Sequence, residues 1–92
     1  MEILRFTASW CQPCKALAQQ LEELGLDKDV TVIDIDEQSA LAIQYGVRSV
    51  PTLVVIDSNK EVKRMVGVKA KDLLLDWFPK LEKNPNIVKS NN

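Results

Sequence analysis

The spacing of apolar and polar residues along the 92-residue chain changes period several times, and each change marks an element. Residues 2–7 (Glu2 to Thr7) read as a short strand, with Ala8-Ser9-Trp10 as its exit. Ser9 followed by Gln12 fits a capping box, and Pro13 falls near the first turn, where its missing N–H costs little. Cys14, Leu17, Ala18, Leu21 and Leu24 then recur at helical spacing until Gly25, which predicts a helix over 11–24. Val30 to Ile35 is β-branched and reads as a second strand. A short helix over 39–45 follows, ended by Gly46. Thr52 to Ile56 is almost wholly apolar, the mark of a strand buried on both faces. Asp57-Ser58-Asn59-Lys60 is a polar turn, and 61–66 supplies its hairpin partner.

A last helix is predicted over 70–78, with Leu73, Leu74, Trp77, Phe78 and Leu81 facing inward and Pro79 ending it. The order β-α-β-α-β-β-α predicts a small α/β domain over 1–83 with a polar, frayed tail over 84–92. Because helices join the first three strands, these are expected to pair in parallel, with the fourth added antiparallel by the hairpin.

Composition narrows the chemistry. Twelve Lys and Arg against thirteen Asp and Glu leave a net charge of −1, with the two signs interspersed, so no nucleic-acid or anionic-lipid partner is expected. No apolar run approaches the roughly 20 residues that span a bilayer. Met1-Glu2-Ile3-Leu4-Arg5 does not read as a secretory leader, which sets the expectation of a soluble cytoplasmic protein. There is no His, hence no imidazole base and no His-ligated metal, and two Cys alone cannot complete a zinc site.

What remains is Cys11-Gln12-Pro13-Cys14. As a structural staple, a disulfide closing so short a loop would contribute only about 2 kcal/mol on the loop-length model. As chemistry the arrangement is better suited. Cys11 lies at a helix N-terminus, where unpaired N–H groups and the positive end of the macrodipole favour thiolate. Cys14, one turn on, reaches the same sulfur from a deeper position. A Cys11 thiolate can attack a substrate disulfide, and Cys14 can then displace the product from the mixed disulfide. Pro13 stiffens the turn between them, and Lys15 adds a local positive charge or simply stands in solvent.

Trp10-Cys11-Gln12-Pro13-Cys14-Lys15 after a strand, followed by Tyr45 to Thr52 with Val50-Pro51-Thr52 and later by Val66-Gly67, resembles the thioredoxin family over about residues 3–82. The resemblance implies a thioredoxin-like fold in a minimal form, a four-stranded mixed sheet flanked by helices and lacking the usual N-terminal strand and helix. It implies a protein-disulfide reductase whose redox group is the Cys11–Cys14 disulfide, with no bound cofactor and no metal. Cys11 would be the nucleophile and Cys14 the resolving thiol. Trp10 would be an apolar platform, although it also reads as core at a strand end. Gln12 and Pro13 would lie in the substrate-facing turn. Pro51 would be a cis-proline facing the dithiol, although it also reads as an ordinary strand starter. Substrate main chain would dock along Val50, and Gly67 would allow close approach or serve only as a turn glycine. Partners would be protein disulfides and a recharging reductase, with the chain acting as a monomer.

Two positions depart from the family. Arg5 stands where its buried acid is expected, and Val32 where that acid's lysine partner is expected. A guanidinium near the dithiol would favour thiolate, unless Arg5 reaches out to solvent. A glutathione-linked, glutaredoxin-like enzyme shares the short length, but Gln12-Pro13 and Gly67-Val68 lack that family's aromatic and Gly-Gly pair. A non-catalytic docking module, or two chains sharing thiolates around a metal, is the alternative from another class.

Overall fold

The computed structural model describes residues 1–79. Leu81, the end of the expected domain and the 84–92 tail lie outside them. The elements are β1 (Glu2–Thr7), α1 (Gln12–Glu23), a 3-10 turn (Asp27–Asp29), β2 (Val30–Asp34), α2 (Ser39–Gln44), β3 (Thr52–Asp57), β4 (Lys60–Val66) and α3 (Lys71–Trp77). They form one four-stranded mixed sheet in the order β2-β1-β3-β4.

Alternation along the strands builds two cores, one on each face. Ile3, Leu53 and Val55 pack against Leu17 and Leu21 of α1 and Leu74 and Phe78 of the α3 region. On the other face Leu4, Phe6, Ile33, Val54 and Ile56 pack around Ala42 of α2. Thr52 to Ile56 is buried throughout, as a continuous apolar run between two layers requires. The β3–β4 hairpin closes through Ser58 and Asn59, both at positive φ, in the two-residue turn whose twist suits a hairpin. An irregularity between Val55 and Ile56 leaves Val62 unpaired and outward.

β1 and β2 pair in parallel as expected, with Ile3 opposite Val30. The expectation fails at β3, which runs antiparallel to β1 with Phe6 opposite Thr52. The length of α2 explains it. Six helical residues advance about 9 Å, whereas recrossing a six-residue strand needs about 20 Å. The chain therefore re-enters the sheet at the end where β2 left it.

Two smaller expectations also fail. Ser9 does not cap α1; it lies in a turn closed by Cys11 N–H donating to the Ala8 carbonyl, and Cys11 is the cap. Leu73 is 59% exposed, because the inward stripe of α3 runs through Leu74 and Phe78 with Trp77 at its margin.

Candidate active site

The fold brings the C-terminal end of β1, the first turn of α1 and the start of β3 to one end of the sheet. Cys11 and Cys14 are joined there as a disulfide, with Cα atoms 5.3 Å apart. Cys11 has extended backbone angles and is the N-cap of α1, and its sulfur accepts the Cys14 N–H at 3.1 Å. A cap normally carries oxygen; here sulfur satisfies one of the helix's open donors. Pro13 sits in the first turn without breaking a bond, and it and Gln12 are exposed beside the pair. Cys11 is 4% exposed and Cys14 1%, so both are sheltered in the disulfide form. They share a small apolar cluster with Ala8, edged by Ile35 and Val50.

The Val50–Pro51 bond is cis, and Pro51 is buried at the head of β3. The Val50 carbonyl oxygen lies 3.8 Å from the Cys11 sulfur. Gly67, at φ +87°, donates its N–H to the Pro51 carbonyl at 2.9 Å, so β4 ends against the proline. A Cβ there would meet no atom of the described residues, its chain neighbours aside, within 4 Å. Cys11, Val50, Pro51 and Gly67 are thus linked by contact or hydrogen bond.

Trp10 is 66% exposed, which excludes the core reading of this residue. Its indole N–H donates to Asp36 at 3.0 Å, and that carboxylate is held by a turn in which Asp34 Oδ1 accepts the N–H of Asp36 at 2.8 Å and of Glu37 at 3.4 Å. Sequence reasoning missed Asp34 and Asp36; the available signal was an Asp at the end of a strand followed two residues later by another, a common local turn.

Arg5 lies on the α1 face of the sheet, directly opposite Val32 in register. It is half-buried, and burial pushes its guanidinium below its ordinary range while leaving it a cation at neutral pH. With Cys14, Lys15, Thr7, Ser9 and Asp34 it lines a pocket of about 240 Å³ on the Cys14 side of the pair.

Two sulfurs that either share a bond or hold two electrons as thiols, placed at one end of a small mixed sheet, make this a thiol–disulfide oxidoreductase. The thioredoxin family model matches residues 1–80. The chain is 45% identical over 76 residues to the thioredoxin of Chlamydia caviae, covering 79% of this chain and 74% of that one. It is 37% identical over 84 residues to the thioredoxin of Staphylococcus aureus, covering 87% and 81%. Among solved structures, a single-site mutant of a thioredoxin from Halobacterium salinarum aligns with TM-score 0.68 and 43% identity, over 80% of this chain and 67% of that one. Thioredoxin 1 of Thermosipho africanus aligns with TM-score 0.69 and 27% identity, over 83% and 88%. The chain belongs to the thioredoxin family and is a protein-disulfide oxidoreductase. No helix among the described residues is long and apolar enough to cross a membrane.

Proposed function

We propose that this thioredoxin is a general dithiol reductant of protein disulfides, with Cys11 as nucleophile and Cys14 as resolving thiol. The observation that carries the assignment is the Cys14 N–H donated to the Cys11 sulfur at the N-cap. A donor fixed there stabilises negative charge on Cys11 and leaves Cys14 to act second. Substrate main chain lies along Val50, between Trp10 on one side and Pro51 with Gly67 on the other, and Gln12 and Pro13 form the rim of that groove. The electrons travel through the two sulfurs themselves, so the reaction draws on no bound cofactor. Each turnover leaves the disulfide, which a reductase must reopen, and a reducing cytoplasm is the compartment that suits such a cycle. One chain carries both sulfurs, which supports action as a monomer.

Insulin reduction driven by dithiothreitol, set beside a glutathione-coupled assay, tests the reading. Catalysed insulin precipitation with little glutathione turnover is the expected result. Turnover only with glutathione would transfer the chain to the glutathione-linked alternative, and activity in neither assay would favour a docking module.

A further inference from the structure

The pocket beside Cys14 brings together groups from three elements. Arg5 and Thr7 come from β1, Ser9 from its exit, Cys14 and Lys15 from α1, and Asp34 from the end of β2. Asp34 is the one carboxylate among those lining residues, and it stands opposite Thr7 in the sheet register. The Arg5 guanidinium forms no hydrogen bond or ion pair with any described residue, so its charge is uncommitted. An adjoining hollow carries Glu22 and Asp27 on its far side, shares Arg5 and Lys15, and does not include Cys14. Two hydroxyls, one carboxylate and two cations, Arg5 and Lys15, stand around about 240 Å³, which leaves room for water beside polar partners.

We propose that Asp34 is the proton acceptor for Cys14 when the mixed disulfide is resolved, reached through water in this pocket, and that Arg5 is a positioning residue that holds the developing thiolate there. The inference rests on the assignment of Cys14 as resolving thiol. In the step, the Cys14 S–H bond breaks and its proton passes to Asp34. The sulfur's electron pair forms the bond to Cys11, the bond from Cys11 to the substrate sulfur breaks, and the substrate leaves as a thiolate. Asp34 then returns its proton to solvent. No further oxidant or reductant enters. The β2 strand thereby supplies from its C-terminal end what position 5 of β1, an arginine, does not.

Asp34 also holds the turn that carries Asp36, so the variant must keep that role. Asp34→Asn does so, because its amide oxygen still accepts the Asp36 and Glu37 N–H groups while it no longer takes a proton. Reduced protein mixed with Ellman's reagent should release thionitrobenzoate in two phases, the first from attack by Cys11 and the second from resolution by Cys14. General-base assistance is worth roughly 10²–10⁴-fold when direct, so a water-relayed base predicts a second phase slowed about tenfold or more at neutral pH, with the first phase within about twofold of wild type. The gap should narrow as pH rises and Cys14 ionises unaided. A second phase equal to wild type across the pH range, or both phases slowed alike, would overturn the proposal. A wild-type protein with no second phase would instead overturn the role of Cys14.

Discussion

The backbone N–H of Cys14 donates to the sulfur of Cys11 at 3.1 Å, so the two residues of the redox pair are coupled by a hydrogen bond as well as by the bond they share. The donor sits in a helical turn and stays with that turn when the disulfide opens. It stabilises charge on Cys11 and offers nothing equivalent to Cys14. In the reduced protein at neutral pH, iodoacetamide should therefore label Cys11 at least about tenfold faster than Cys14, the equivalent of one unit of acidity. Peptide mapping after a short pulse checks this, and preferential labelling of Cys14 would reverse the assignment.

Arg5 lines the same pocket as Cys14. A cation favours thiolate and so stabilises the reduced form, which makes the disulfide more oxidising. Replacing it with Asp should make the protein more reducing by about 30 mV, a tenfold change in the glutathione equilibrium, with Arg5→Leu between. Equal equilibria for all three proteins would make Arg5 a bystander.

Gly67 holds φ +87° beside the Pro51 carbonyl, and a Cβ there would meet no atom of the described residues, its chain neighbours aside, within 4 Å. Gly67→Ala should cost about 1–2 kcal/mol through backbone strain alone. Gly67→Val should in addition raise KM for a protein disulfide several-fold while sparing a small disulfide such as hydroxyethyl disulfide. Equal losses on both substrates would mean that the glycine serves only the turn.

Arg64 ties the far edge of the sheet to α2, donating to the Tyr45 carbonyl at 2.5 Å and pairing with Glu61 at 2.6 Å. Arg64→Ala should destabilise by about 1–2 kcal/mol in urea unfolding. The Glu61 carboxyl is held below its usual range, chiefly by its hydrogen bond from Arg64. A depressed folded value means that the pair's contribution is present above the ordinary carboxylate range and lost as pH falls through the folded value. Solvent screening keeps that contribution under about 1 kcal/mol, so Glu61→Gln should cost little at pH 7 and nothing once the carboxyl is protonated. A cost that persists in acid would point to something other than the ion pair.

Element order and the redox pair were legible in the sequence because each rests on local rules. β3 announces itself by a run of five residues buried on both faces, and Cys11 by its place at the start of an apolar-periodic helix. The direction of β3 was not legible from the alternation of strands and helices. It follows from the short reach of α2, whose length the sequence reads to within one residue but which the rule that helix-joined strands pair in parallel does not weigh. The cap was misjudged because Ser9 is the better side chain for the role, whereas the turn after β1 delivers Cys11 to the position instead. Trp10 was ambiguous between core and surface because its partner, Asp36, is 26 residues away and meets it only across the folded turn. Arg5 and Val32 were singled out as departures from a family pattern, and their direct pairing across β1 and β2 is a property of register.

That Cys11 attacks and Cys14 resolves is tested most directly by trapping. Reduced Cys14→Ser protein incubated with oxidised insulin and quenched in acid should carry insulin chains bound through Cys11 as a stable adduct, identified by peptide mass mapping. Cys11→Ser should form no such adduct and show no turnover. An adduct on Cys14 in the Cys11→Ser protein, forming as fast as that on Cys11 in its counterpart, would contradict these roles.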